Sequence, residues 1–230
     1  MFPSCFSQYW FYLILVGVAL VSYLCGGVNF AIIMSKALYH EDIREKGSGN
    51  PGFTNFKRTY GNKFSSWMVL VLDWMKTLIP VMVTALCFKY LIDDSLWQFG
   101  AQFSGLFCML GHCFPIFYGF KGGKAFIAGA ATLFFVDYRV GLICLAIFML
   151  LLFTIRYMSI ASCTFALCGP IGVSLFNIPN YSTQPICYVV MALSICAALL
   201  VCIRHYPNFI KLKNHQESKF YLKSKKKEEK

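Results

Sequence analysis

The chain has 230 residues, of which 58% are hydrophobic and 13% charged, against roughly 45–50% and about 25% in soluble domains. Its formal net charge is +11, from 21 Lys+Arg and 10 Asp+Glu, and most basic residues lie between apolar runs or in the tail. These figures exclude a disordered chain, a coiled coil and an ordinary cytosolic enzyme. They indicate an integral membrane protein whose basic edges suit phosphates, and no nucleic-acid binder.

A helix crosses a bilayer with ~20 mostly apolar residues and must satisfy its own backbone hydrogen bonds there. The runs that qualify are Tyr9–Ala37, Phe64–Ile92, Trp97–Tyr118, Lys124–Asp137, Tyr138–Tyr157, Ser159–Phe176 and Gln184–Tyr206. The fourth is short and barely separated from the fifth, which leaves six as the alternative count. The first lacks a basic n-region and is too long for a signal peptide, so it reads as a retained helix. Gly26-Gly27 and Asn29 interrupt the first run and Gly169-Pro170 the sixth, as kinks that neighbouring helices can absorb.

With seven spans, one side holds ten basic residues (Lys36, Arg44, Lys46, Lys57, Arg58, Lys63, Lys121, Lys124, Arg156 and Arg204) and eight tail lysines, eighteen in all, while the other holds Lys89 and Arg139, and Lys76 sits inside the second run. That excess marks the first side as cytoplasmic, with the N-terminus outside and the C-terminus inside. The reading is an all-α membrane bundle of about seven helices, one domain over 1–210. A cytoplasmic polybasic tail over 211–230 follows, held at an anionic leaflet beyond about residue 218. Among the eleven cysteines, Cys25, Cys87, Cys108, Cys144, Cys163, Cys196 and Cys202 all lie inside apolar runs, and no C-x-x-C pair occurs. They read as small hydrophobes; neither a disulfide framework nor a metal or cofactor is expected.

Three polar patches share the basic side. The first is Gly47-Ser48-Gly49-Asn50-Pro51-Gly52-Phe53-Thr54-Asn55, followed by Lys57-Arg58. Glycines permit φ > 0 and close backbone approach to an anion, Ser48, Thr54 and Asn55 add neutral donors, and Arg58 can grip a phosphate bidentately. A flexible turn would favour the same residues. The second, Gly111-His112, Pro115 and Gly119-Phe120-Lys121-Gly122-Gly123-Lys124, leads into the fourth run, and a helix start next to lysines is an anion site. It is no nucleotide P-loop: the spacing is one residue short, Ala125 stands where Ser or Thr is required, and no strand precedes it. The third patch is Arg204-His205 with Asn208, Lys211 and Glu217. His205 and Asn208 share a face at i, i+3, although Pro207 is expected to interrupt the helix there. Within the second run, Asp73 and Lys76 can neutralise each other on one helical face. Arg156-Tyr157 with Ser159 and Ser162 adds a cation and two hydroxyls near the same surface.

These residues closely resemble the PlsY-type acyl-phosphate:glycerol-3-phosphate acyltransferases of bacteria, over roughly residues 23–217. Gly47 to Gly52 with Thr54-Asn55, Arg58 and Gly61 matches that family's first motif; Gly111-His112, Phe114-Pro115 and Phe120 to Lys124 its phosphate-binding second; His205, Asn208 and Glu217 its third. The resemblance implies transfer of a fatty acyl group from acyl phosphate to the 1-hydroxyl of glycerol 3-phosphate at the cytoplasmic side of the bacterial inner membrane. It implies Ser48, Arg58, His205 and Asn208 in activity. Gly47, Gly49, Asn50, Thr54, Asn55, Lys121, Gly122, Gly123, Lys124, Ser159 and Ser162 fall to substrate binding, and Glu217, Asp73 and Lys76 to integrity. The sequence departs from the family at Ala125 and Thr77, where glycine is usual, at Gly26-Gly27-Val28-Asn29, and at Lys211 and His215. A transporter or flippase for a phosphorylated metabolite or lipid is the alternative, suited by charges in the second run and by helix breaks. Against it stand the missing inverted repeat and the gathering of the polar loops on one face.

Overall fold

The structure is a computed structural model that describes residues 4–177 and 185–220. The expected start of the last run at Gln184 and the tail after Phe220 lie outside the described residues. Among these there are nine α-helices and no strand: α1 (Ser4–Gly27), α2 (Phe30–Tyr39), α3 (Phe53–Tyr60), α4 (Phe64–Cys87), α5 (Trp97–Cys113), α6 (Phe126–Val136), α7 (Tyr138–Thr154), α8 (Met158–Asn177) and α9 (Ile186–Lys213). Five stretches are long and apolar enough to cross a membrane: Tyr9–Tyr39, Phe64–Ile92, Asp94–Tyr118, Met158–Phe176 and Ile186–Lys213. The expected fourth and fifth spans are the shorter apolar helices α6 and α7, of 11 and 17 residues.

The centre of the bundle is α5, which packs on α1, α4, α6 and α9. Its small residues set that position, because bare glycine lets one backbone touch another. A Cβ at Gly111 would lie 2.0 Å from the Tyr23 carbonyl oxygen, and one at Gly26 2.1 Å from that of Cys108. Beside this contact the buried hydroxyls of Ser22 and Ser104 hydrogen-bond at 2.8 Å. Both α4 and α7 pack on α6, and the rings of Phe126, Phe148 and Phe165 join α6, α7 and α8.

The interruption after Gly26-Gly27 is real. Asn29 caps α2 by accepting from the Ile32 N–H at 3.0 Å, and its amide donates to the Pro51 carbonyl at 3.1 Å. The break frees the Val28 carbonyl, and Lys76 answers it: its ammonium reaches Val28 O at 2.6 Å, Asp73 Oδ1 at 2.7 Å and His112 Nδ1 at 3.0 Å. The ammonium thus joins two hydrogen bonds to the charge of Asp73, so the ion pair serves the helix break as well as itself.

One expectation is corrected. Proline does not interrupt the helix at Pro207, through which α9 runs; α8 likewise continues through Pro170, as an absorbed kink allows. Neighbouring helices stabilise a spanning segment more than one lost hydrogen bond weakens it. The segment after α9 returns to the bundle. Beyond Lys213 the chain turns back, and the Phe220 N–H donates to the Arg156 carbonyl at 2.7 Å.

Candidate active site

The first glycine loop is built around Asn55. Its carboxamide, 1% exposed, accepts the Ser48 N–H at 2.8 Å and donates to the carbonyls of Ile43 at 3.2 Å and Lys46 at 3.0 Å. Gly47 sits at φ +59, and a Cβ there would strike the Asn55 oxygen at 2.3 Å. This clamp leaves the Ser48 side chain exposed at the cleft rim. Arg44 ties the loop to the next one by donating to the Tyr118 carbonyl at 3.2 Å while forked on Asp42. That guanidinium holds the Asp42 carboxyl down at about 2.

The second loop packs under α5. Gly123 N–H donates to the His112 carbonyl at 3.0 Å, and a Cβ at Gly122 or Gly123 would meet that oxygen at 2.1 Å or His112 Nε2 at 2.2 Å. Arg204, one residue before His205 on α9, forks onto the same loop: Nε donates to Gly123 O and a terminal nitrogen to Gly122 O, both at 3.0 Å. Lys124 then reaches into the cleft and donates to Asn208 Oδ1. Burial lowers its ammonium to about 8 from 10.5, although the Glu217 carboxylate opposes the shift.

α9 supplies the third wall. His205 Nδ1 lies 2.8 Å from the Val201 carbonyl, which can only accept, so Nδ1 carries the proton and Nε2 keeps its lone pair. Asn208 Nδ2 and Ser159 Oγ donate to the two oxygens of Glu217, each at 2.8 Å. The buried Ser162 hydroxyl has no hydrogen-bond partner among the described residues and lines the same cleft.

That cleft, about 1380 Å³, gathers Gly47, Ser48, Gly49, Asn50, Thr54, Asn55, Arg58, Asp73, Gly122, Lys124, Ser159, Ser162, His205, Asn208 and Glu217. Three sequence candidates fall outside its lining: Lys121 is exposed, Gly123 is buried against His112, and Lys76 is buried beside Asp73. Beyond the polar end the cleft becomes an apolar groove floored by Phe126, Ile127, Ala130 and Phe134 of α6. Trp67, Leu70, Val71 and Trp74 of α4 form one wall, and Leu145, Met149 and Phe153 of α7 the other. Trp67, Val71 and Phe153 are exposed on the outer surface, so the groove opens sideways.

Sequence reading named Arg204 and Lys57 within the basic patches but not what they touch, and it gave Arg44 no role. The Lys57 ammonium lies 4.9 Å from the Trp67 ring and 5.9 Å from that of Phe220, where the polar end meets the groove. Nothing local marks them; each acts on a partner distant in sequence.

Residues 16–215 match the family model described as glycerol-3-phosphate acyltransferase. The chain belongs to that family. Curated glycerol-3-phosphate acyltransferases similar to it include that of Jannaschia sp. (strain CCS1), 36% identical over 87% of this chain and 90% of the relative. That of Neisseria meningitidis serogroup B is 34% identical over 86% and 94%. The crystal structure of PlsY (YgiH), an integral membrane glycerol 3-phosphate acyltransferase in its glycerol 3-phosphate form, superposes with a TM-score of 0.74. It is 30% identical, over 90% of this chain and 96% of that one. Its lysophosphatidic acid form gives 0.71 at 29% identity, over 90% and 95%. Together with the five apolar spans, this makes the family member described here a multi-pass integral membrane protein.

Proposed function

We propose that the protein transfers a fatty acyl group from acyl phosphate to the 1-hydroxyl of glycerol 3-phosphate, releasing lysophosphatidic acid and phosphate, the first step of phospholipid synthesis. The supporting observation is the single cleft, in which two glycine loops and the His205–Asn208 face of α9 adjoin an apolar groove. Lys57, Arg58, Lys124, Arg204 and Lys211 line it, against the carboxylates of Asp73 and Glu217. Fixed cations offset the repulsion between two phosphorylated substrates, and holding them in reacting geometry supplies much of the rate.

An acyl phosphate is a mixed anhydride, so the chemistry needs little covalent help. The glycerol oxygen attacks the acyl carbon, the carbon–oxygen bond to phosphate breaks, and the hydroxyl proton leaves with the departing phosphate or passes to a base. His205 fits the second role: it lines the cleft, and with Nδ1–H held by Val201 the lone pair is on Nε2. Lys124, the Gly122 region and Arg58 bind the anions. Ser48 and the unpaired Ser162 hydroxyl supply neutral donors, and Asn208 orients the Lys124 ammonium. The groove between α4 and α7 takes the acyl chain directly from the bilayer. Counting α6 and α7 as crossings gives seven; in this reading the basic loops and the C-terminus lie together on the cytoplasmic side of the bacterial inner membrane, which the lysine and arginine distribution supports.

The test is direct. Detergent-purified protein is incubated with palmitoyl phosphate and labelled glycerol 3-phosphate, without CoA or acyl carrier protein. Labelled lysophosphatidate is expected; label that appears only with a thioester donor refutes the acyl-phosphate assignment.

A further inference from the structure

The Arg204 guanidinium makes two parallel hydrogen bonds to successive glycine carbonyls, Gly122 O and Gly123 O, and lies 5.1 Å from the Phe114 ring at the end of α5. A trans peptide is planar, so its C=O and the next residue's N–H point in opposite directions. Aiming both carbonyls at Arg204 therefore turns the N–H groups of Gly123 and Lys124 the other way. Gly123 N–H is taken by the His112 carbonyl. Lys124 N–H has no backbone acceptor among the described residues, and it immediately precedes the first turn of α6, whose N–H groups also lack intrahelical acceptors.

We propose that Arg204 is a positioning residue: its fork holds the Gly122 and Gly123 carbonyls away from the anion site, so that the Lys124 N–H, the Lys124 ammonium and the start of α6 face a bound phosphate. Released from Arg204, two carbonyl lone pairs are free to turn toward an incoming anion and repel it. Arg204 also neighbours His205 on α9, so the same fork fixes the distance between the loop's phosphate and the His205 imidazole. Lysine cannot replace it. An ammonium is a point donor without the planar pair of N–H groups that matches two adjacent carbonyls. This inference deepens the acyltransferase reading and rests on it.

The experiment compares wild type, Arg204→Lys and Arg204→Ala in detergent, measuring kcat and the KM for palmitoyl phosphate and for glycerol 3-phosphate separately. Wild-type turnover is the control: its absence defeats the acyltransferase reading itself, independently of Arg204. With turnover present, Arg204→Lys is expected to raise the KM for one substrate at least tenfold, keeping the other within about twofold and kcat within about threefold. The affected substrate is the one the loop holds. Added guanidinium is expected to restore Arg204→Ala toward wild type, while ammonium at the same concentration is not. A wild-type KM in Arg204→Lys overturns the proposal, because charge alone then suffices. Loss of kcat with both KM values unchanged also overturns it, because Arg204 then acts on the reacting groups. Should Arg204→Ala not fold, Arg204→Lys alone decides between these outcomes.

Discussion

Lys124 is buried enough to resent its charge and placed where that charge is needed. Between pH about 8 and 10.5 the unfolded chain binds a proton that the folded one has released. Raising the pH through that range therefore favours the folded state while it removes a cation from the cleft. We expect kcat/KM for the phosphorylated substrate to fall as pH rises through about 8, and a pH profile of Lys124→Arg to lack that limb, since arginine stays charged. Next to it, Ala125 adopts φ +57, where the left-handed region costs a non-glycine residue roughly 1–2 kcal/mol. Replacing it by glycine removes that strain but also a buried methyl worth about 0.8 kcal/mol, and loosens the unfolded chain by about 0.5–1 kcal/mol. The terms nearly cancel, so alanine is tolerated at this left-handed position. Ala125→Gly should move thermal stability by less than about 1 kcal/mol, whereas Ala125→Val, β-branched at positive φ, should lower it by more than about 2 kcal/mol.

Among the elements, the α1–α5 contact and the returning strap after α9 make different demands. Gly111→Ala puts a methyl 2.0 Å from a backbone oxygen, which no side-chain rotation can relieve, and overpacking of this kind costs about 1–3 kcal/mol or more. Gly17→Ala, with open space around it, should be neutral or stabilising by up to about 1 kcal/mol; thermal melts of the two variants in one detergent make the comparison. The strap, Gln216 to Phe220, lines the cleft and carries Glu217 onto Asn208 and Ser159. A chain ending after Phe220 should keep full transfer activity, and one ending after Lys213 should lose it, because Asn208 loses the carboxylate that orients it. Equal activity in the two truncations would rule the strap out of the site.

At the scale of the molecule, the helices and the three basic motifs were legible because each is a local pattern: apolar runs, glycines before a helix, His205 and Asn208 three residues apart. Arg204, Arg44 and the strap were not, since what they touch is fixed only when α9, the loops and α5 come together. Pro207 misled for the same reason: it is a helix breaker by local rule, and packing overrides it. The sideways groove belongs to this scale too, as it exists only between α4 and α7. Ala130, on its floor, should when changed to Phe shift preference from palmitoyl toward octanoyl phosphate, measured as a ratio of kcat/KM values. An unchanged ratio would place the chain elsewhere.

The brevity of α6 has a consequence of its own. Eleven residues rise only ~16 Å, about half the ~30 Å hydrocarbon layer. For α6 to count as a crossing, as the proposed seven-span arrangement has it, the glycine loop that leads into it must lie below the level of the neighbouring helix ends. On that arrangement and under the proposed reaction, the greasy donor need not be hauled up into water, and the small, soluble alcohol descends to it past the cations that line the cleft.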